Sequence, residues 1–275
     1  MDCIRKAGKR GYTLVDDENM VAEFSRDYAD SLGITVAGTF DEEDKFHFEY
    51  YFPYLDGTGV TSYEDISVEK HASEDSFAGV CDDVKVGISL IFYLRNKIPY
   101  LKALSTGKLP IKGTSVTFSG LSIKGMVLLP VLRPEEDPEN QKKLDASDRA
   151  KLLAAAKNGD EEAIETLTLE DMDTYNTISK RVKNEDVYSI VDTSFMPYGV
   201  ECDQYSIIGD IVAFRRVTNH ITEEEIYILT ICCNDLTFDV AINIIDLFGE
   251  PQVGRRFKGV IWLQGNINYP DDAIL

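Results

Sequence analysis

The last third of the chain, from about residue 187 to 270, most constrains the fold, because apolar and polar residues alternate there in runs separated by glycines and polar turns. A period of two is typical of strands. The longest run contains Gly209, and a glycine inside a long strand often marks a bulge or a bend. The predicted strands are Ser189–Thr193, Tyr205–Val217, Ile226–Cys232, residues 236–243 and Phe257–Gln264.

A long glycine-bent strand, a meander of two more, a crossing and a closing strand match the order of an OB-type barrel. The alternative is a sandwich edge, or a meander packed on an N-terminal sheet. OB folds often bind single-stranded nucleic acid by stacking bases in a positive groove. This segment sets five basic side chains against eleven carboxylates, and the pairs Arg215–Arg216 and Arg255–Arg256 could instead bind nearby carboxylates.

The N-terminal region predicts one helix. Met20, Phe24 and Tyr28 recur every four residues, and Leu32 follows one turn later. An aspartate pair precedes them and can cap a helix, and Gly33 lies where a helix would stop.

Strands are predicted after this helix. Aromatic residues crowd Lys45–Leu55, and Pro53 places that strand at a sheet edge or at a strand end. Strict alternation predicts a strand at 84–94, and another begins at Val116 and runs to about Val131.

A charged, proline-containing stretch at 133–143 indicates a linker, and a helical block follows it. Ser147, Asp160 and Thr168 can each cap a helix there, and Gly159 can end the first. We therefore expect an α+β protein. Its predicted parts are a mixed α/β domain at 1–132, a linker and helical connector at 133–186, an OB-like β-barrel at 187–270, and a tail at 271–275.

Composition limits the function classes. The 275 residues carry a formal net charge of −20, and none of the segments 1–140, 141–186 and 187–270 is net basic, which disfavours nucleic-acid binding. No apolar stretch is long enough to cross a bilayer, and no apolar core follows the basic N-terminus, so neither a membrane span nor a signal peptide is expected. Five cysteines without a CxxC spacing are best explained as reduced thiols, which predicts a cytoplasmic location.

Four phrases together carry a family resemblance. They are YFPYLDGTGVTSYEDISVEKHASEDSFAGVCDD at 51–83, GDEEAIETLTLEDMDTYNTIS at 159–179, VDTSFMPYGVECDQYSIIGDI at 191–211 and GEPQVGRRFKGVIWLQGNIN at 249–268. The chain resembles an uncharacterised family, domain of unknown function number 3881, of anaerobic Gram-positive, Clostridia-type gut bacteria. The resemblance implies no activity, cofactor or catalytic residue.

The segment Glu64–Asp83 is rich in polar residues and loop-like. Glu69 beside His71 could orient an imidazole as a general base. Cys81 could act as a nucleophile if His71 reached it. Asp82 and Asp83 could offer oxygen ligands to a hard cation. The alternative is a solvated surface loop with one buried cysteine.

A second polar group lies at the predicted junction with the barrel, where Glu201 and Asp203 flank Cys202. Junctions between domains are common pocket sites. The alternative is a structured connection whose Gly199 allows an unusual backbone angle. Trp262 lies mid-strand, and we expect it in the core with a partner for its N–H.

No nucleotide-binding, hydrolase or metal motif accompanies these residues, and no cofactor is expected. The first hypothesis is a non-catalytic binding or scaffold protein that holds a protein or small molecule on the aromatic strand near Tyr50–Tyr54 or on the barrel face. The second is a metal-assisted or hydrolytic enzyme that combines Glu69, His71, Asp82 and Asp83 with Glu201 or Asp203. Single-stranded nucleic-acid binding is the third, and a homodimer is left open.

Overall fold

Strands form most of the chain in the computed structural model, which describes residues 2–14, 20–70, 76–83, 86–131, 151–169, 172, 187–200 and 202–270. The strands are β1 Lys9–Leu14, β2 Met20–Ala29, β3 Leu32–Phe40, β4 Phe46–Leu55, β5 Ile66–Lys70, β6 Phe77–Asp83, β7 Ile88–Leu94, β8 Ser115–Leu128, β9 Ser194–Pro197, β10 Gln204–Thr218, β11 Glu225–Cys233, β12 Leu236–Asn243, β13 Leu247–Phe248 and β14 Arg256–Asn268. The helices are α1 Asp2–Arg5, α2 Lys97–Ser105, α3 at 151–157, α4 at 161–169 and α5 Val187–Ile190.

The first four strands form an antiparallel sheet in the order β1-β2-β3-β4. The helix predicted around Met20, Phe24 and Tyr28 is wrong: β2 and β3 form a hairpin that turns at Ser31, whose φ is 63°. Residues four apart share a face of a strand as well as of a helix, so their spacing fits both structures. The aromatic strand is confirmed as β4, and it lies at the sheet edge that Pro53 indicated.

The second sheet has ten strands and closes on itself through five of them. β10 pairs with β11, β11 with β12, and β12 with β8 in parallel; β8 then pairs with β14, and β14 with β10. These five pairings make a closed barrel. β7, β6 and β5 extend the sheet outward from β14, and the short β9 pairs with β10.

Strand β8 gives both halves of the chain one core. It precedes the barrel's other strands by more than 70 residues, yet it pairs with β12, β13 and β14. Phe92 and Phe118 from the first half pack in the same buried cluster as Phe238 and Phe257 from the second. Burial of each such ring stabilises the fold by about 2–3 kcal/mol. The expected boundary at residue 132 stays a prediction, but it does not separate two hydrophobic cores.

Paired glycines let the barrel accommodate its aromatic core. Gly125 on β8 lies opposite Gly259 on β14. A Cβ atom at either position would meet the Phe257 ring within 3 Å. The ring therefore occupies the space that two side chains would fill, and β8 and β14 pack closely there. The predicted strand from Val116 with glycines at its bends is confirmed as β8.

Several predicted boundaries change. The segment 64–83 was expected to be a loop but contains β5 and β6. Its polar residues suggested a loop, whereas those of β5 lie on the exposed face of a strand. The strand predicted at 84–94 begins at Ile88 as β7, after a turn at Val86 and Gly87. The opening strand expected at Ser189–Thr193 is instead α5 followed by β9.

Helix prediction succeeds in part in the connector. Asp160 caps α4, because its Oδ1 accepts the backbone N–H groups of Glu162 and Ala163 at 3.0 and 3.2 Å. Gly159 ends the preceding helical segment with a φ of 86°. The predicted linker at 133–143, the cap at Ser147 and most of the third helix lie outside the described residues.

Candidate functional site

The first predicted site does not assemble among the described residues. His71 and Glu201 lie outside them. Glu69 is exposed on β5. Asp82 and Asp83 are neighbours on β6, so their side chains point to opposite faces of the sheet.

Each of the two aspartates already has a partner. Asp82 is exposed and accepts a hydrogen bond from the Ser89 hydroxyl. Asp83 is buried and accepts one from the Ser62 hydroxyl at 2.5 Å. In the part of the chain that the structure describes, no three His, Cys, Asp or Glu side chains come together as metal ligands would. A cation site at Asp82 and Asp83 therefore stays a prediction without geometric support.

Cys81 is a core thiol. It is fully buried, and its Sγ lies 3.8 Å from the Ser62 hydroxyl. Burial raises the pKa of Cys81 to about 11. The thiol is then protonated at neutral pH, and a protonated thiol is a poor nucleophile.

Asp203 leads to a different site. Its Oδ2 accepts the indole N–H of Trp262 at 2.6 Å, so the expected partner for that N–H is confirmed. Its carbonyl accepts the backbone N–H of Leu263 at 2.8 Å. Trp262 itself is only partly buried, because one side of its ring faces a groove. Asp203 therefore orients a groove residue.

The groove is a cleft of about 520 Å³ between the edge strand β4 and the outer face of β7 and β14. Its described lining residues are Glu49, Tyr50, Tyr51, Phe52, Ser76, Tyr93 and Trp262. We call it the aromatic groove.

Three rings form a continuous aromatic wall. The centroid of Phe52 lies 4.9 Å from that of Tyr93, which lies 5.0 Å from that of Trp262. Rings at such separations attract each other beyond the effect of burial alone. The wall joins residues from three strands, β4, β7 and β14, so it exists only where the two sheets meet.

Buried Gln264 holds the two sheets together at this point. Its Nε2 donates to the carbonyl of Pro53 at 2.8 Å, and its Oε1 accepts the N–H of Leu55 at 3.4 Å. The Arg95 guanidinium donates one hydrogen bond to the carbonyl of Leu55 and another to the carboxylate of Asp56. The C-terminal end of β4 is thereby fixed against β14.

A buried polar cluster supports the groove from behind. Lys97, at the start of α2, donates to the Tyr50 hydroxyl at 2.6 Å and lies 4.7 Å from the Tyr50 ring centroid. Its Nζ is 4.0 Å from Oε1 of Glu23, which is 8 % exposed. Burial raises the pKa of Glu23 to about 7, although Lys97 and Arg95 oppose the shift.

The described lining of the groove consists mainly of aromatic rings, with one carboxylate and one hydroxyl side chain beside them. Aromatic faces bind apolar groups and attract cations. Among its described lining residues Glu49 is the one carboxylate, and no imidazole or thiol accompanies it.

Sequence reasoning found half of this groove. The aromatic strand Lys45–Leu55 was recognised, and Asp203 was singled out for another reason. Trp262 was expected in the core, because alternation alone does not separate a buried face from one that lines a cleft. The signal that could have pointed to Trp262 is its position two residues before Gln264, a polar side chain on the same face of the strand.

The basic side chains of the barrel bind within the chain. Arg215 contacts Asp30 and Ser31, and Arg216 contacts Glu225. Arg256 is buried and donates to the carbonyls of Leu129, Tyr188 and Val191, while the Lys258 ammonium contacts Tyr188. The alternative of carboxylate binding therefore holds for Arg215 and Arg216, whereas Arg256 binds backbone carbonyls.

Fold and groove together define a class: a mostly β protein with few helices, whose closed five-stranded barrel meets a second sheet along an aromatic cleft. The chain belongs to the family described as a domain of unknown function, E. rectale gene description (DUF3881), whose model matches residues 1–265. This confirms the resemblance noted from the sequence. No curated protein matches the chain, and no solved structure matches it. In the described residues, no helix is long and apolar enough to span a membrane.

Proposed function

We propose that this chain is a non-catalytic binding protein and that the aromatic groove is its ligand site. The observation that carries the proposal is the groove itself, where edge strand β4 contributes Tyr50, Tyr51 and Phe52 next to Tyr93 and Trp262. Tyr51 is 65 % exposed, so its ring is accessible to a ligand at the groove. The ligand is a protein segment or a small molecule with an apolar or cationic group.

The barrel contributes to the groove through β14, which carries Trp262. We infer that the barrel is of OB type, a five-stranded Greek-key barrel with a long bent first strand. β10 fits that first strand: its N-terminal half pairs with β14, its C-terminal half with β11, and its register shifts between Ile211 and Ala213. β8 takes the place of the closing strand, although it comes earlier in the sequence.

Enzymatic and nucleic-acid functions receive less support. The polar residues on which an enzyme would depend are spread over different faces or lie outside the described chain. The arginines that a nucleic acid would need bind carboxylates and carbonyls of the same chain.

Capture by immobilised protein tests the proposal. Two pools are offered separately to the wild type, a peptide digest of a bacterial extract and its small-molecule fraction, and retained components are identified by mass spectrometry. The groove variant combines Glu49→Arg with Tyr51→Ser, both at exposed positions. Tyr12→Ser is the matched control, because Tyr12 is 68 % exposed on β1 at the opposite edge of the same sheet.

We expect at least one component that the wild type and the control retain and the groove variant loses. Equal retention by all three proteins would contradict a ligand site in the groove. Chemical conversion of a retained component by the wild type would favour the enzyme instead.

A further inference from the structure

Strand β4 leaves one edge of its sheet unpaired in the described part of the chain. It pairs with β3 on one side, and in the sheet order nothing follows it on the other. Unpaired strand edges present backbone N–H and C=O groups in a row, and they can template an added strand. Among the described residues, Gln264 and Arg95 occupy the C-terminal end of this edge.

These contacts show which residues of β4 direct their backbone N–H and C=O groups away from β3. The carbonyl of Pro53 and the N–H and carbonyl of Leu55 bond away from β3. Backbone groups alternate in direction along an antiparallel strand. Tyr51, two residues before Pro53, therefore directs its N–H and C=O away from β3, into the space beside the aromatic groove.

The charge along this edge is negative. From residue 41 to 52, five carboxylates accompany one lysine, and four of the five lie in the turn that precedes β4. Of these, Asp41 holds His47 through a contact of 2.6 Å, and Glu49 lines the groove itself. Lys97, behind the groove, is buried against Tyr50 and Glu23.

These features of the β4 edge fit one kind of ligand. An extended segment alongside β4 would hydrogen-bond to Tyr51, direct every second side chain toward the groove, and run on along the strand toward the acidic turn that precedes β4. Basic side chains fit the carboxylates, and an apolar or aromatic side chain fits the wall of Phe52, Tyr93 and Trp262.

Building on the proposed function, we propose that the free edge of β4 binds an extended basic segment of a partner protein by strand addition, with one apolar side chain of that segment in the aromatic groove.

The chain contains a built-in reporter, because Trp262 is its single tryptophan and lies in the groove. The probe is an eight-residue peptide of alternating lysine and valine, with one central phenylalanine and blocked ends. Its backbone control has the same side chains with N-methyl groups on alternate residues, which removes the N–H row of one strand edge. Its charge control has glutamate in place of every lysine. Trp262 emission is followed during titration of the full chain at low salt.

Protein variants test the same edge. Tyr51→Pro removes the outward N–H and leaves the pairing with β3 intact, as Pro53 already does two residues later. Tyr51→Phe is its matched control, because it keeps the ring and the N–H. Since the proline variant could misfold, the N-methylated peptide tests the same hydrogen bonds on unchanged protein.

We expect saturable binding of the basic peptide, weakening of about tenfold or more with the N-methylated peptide or with Tyr51→Pro, and little change with Tyr51→Phe. The acidic peptide should fail to bind. Equal binding of the basic and N-methylated peptides would overturn strand addition while leaving the groove as a ligand site. If Trp262 emission does not change with any peptide at several hundred micromolar, strand addition is overturned too. The capture experiment then tests the proposed function separately. A dimer of the protein alone that Tyr51→Pro dissociates would show that a second copy occupies the edge, which also overturns the proposal.

Discussion

Glu23, in the buried polar cluster behind the aromatic groove, should make the free energy of unfolding fall as pH rises. Replacement of Glu23 by glutamine should remove this pH-dependent loss. Glu23 is 8 % exposed, and its Oε1 has no hydrogen-bond partner within the described residues. Burial raises its pKa from 4.5 to about 7. Because a pKa difference of one between folded and unfolded states corresponds to about 1.4 kcal/mol, ionised Glu23 costs the folded state on the order of 3 kcal/mol.

The sign of the effect follows from which state holds the proton. Below pH 4.5 Glu23 is neutral in both states and costs nothing. As pH rises from 4.5 to about 7, the unfolded chain ionises first, so the folded state loses stability; above pH 7 the full loss is present. Glutamine stays neutral throughout and should lack this loss. The difference in unfolding free energy between Glu23→Gln and wild type should grow by roughly 2–3 kcal/mol from pH 5 to pH 8.

Urea unfolding at pH 5, 6, 7 and 8 measures this difference. Glu49→Gln is the matched control, since Glu49 is an exposed carboxylate at the groove and should give a pH profile parallel to wild type. The part of the difference that does not change with pH reports only how the amide packs. Parallel profiles for all three proteins would refute the assignment of a buried, ionisable Glu23.

Three further predictions concern the core and the barrel. Ellman's reagent at pH 8 should label exposed Cys202 first. Cys81 and Cys233 should react only on unfolding, because they are buried and burial raises their pKa values to about 11 and about 12. Prompt labelling of Cys81 or Cys233 would contradict their burial. Gly265→Ala directs a methyl group into the Phe92 ring and should lower the unfolding free energy by roughly 2 kcal/mol, with partial recovery on adding Phe92→Leu. Residues 187–270 alone lack β8 and should show no cooperative unfolding, whereas the same fragment followed by a flexible linker and residues 113–131 should fold; a stable isolated fragment would show that β8 is dispensable.

Sequence periodicity predicted most barrel strands because each strand alternates along its own length. The turn between the predicted strands Ile226–Cys232 and 236–243 could also be predicted. It contains Asn234 and Asp235, which both adopt positive φ, at 49° and 60°. Short polar residues tolerate that backbone, so local chemistry was enough. Where the pattern was ambiguous, the prediction was wrong: Met20, Phe24 and Tyr28 lie on one face of a strand as readily as on one face of a helix.

The partners of each strand could not be predicted in the same way. β8 pairs with β14 at positions such as Val116 and Ile267, which are far apart in the chain, and no local pattern specifies that contact. The aromatic groove depends on such contacts twice. Trp262 borders it because β14 lies beside β7, and β4 reaches it because Gln264 binds Pro53 and Leu55.

The most direct test of the account is the indole N–H resonance of Trp262 in a ¹⁵N–¹H spectrum. The chain has one tryptophan, so one indole peak reports on the aromatic groove alone, through a proton that Asp203 holds. During titration with the basic lysine–valine peptide, we expect this peak to move saturably, together with the backbone amide peak of Tyr51. Binding that shifts other amide peaks while leaving the indole peak and Tyr51 unmoved would place the ligand elsewhere and contradict the account.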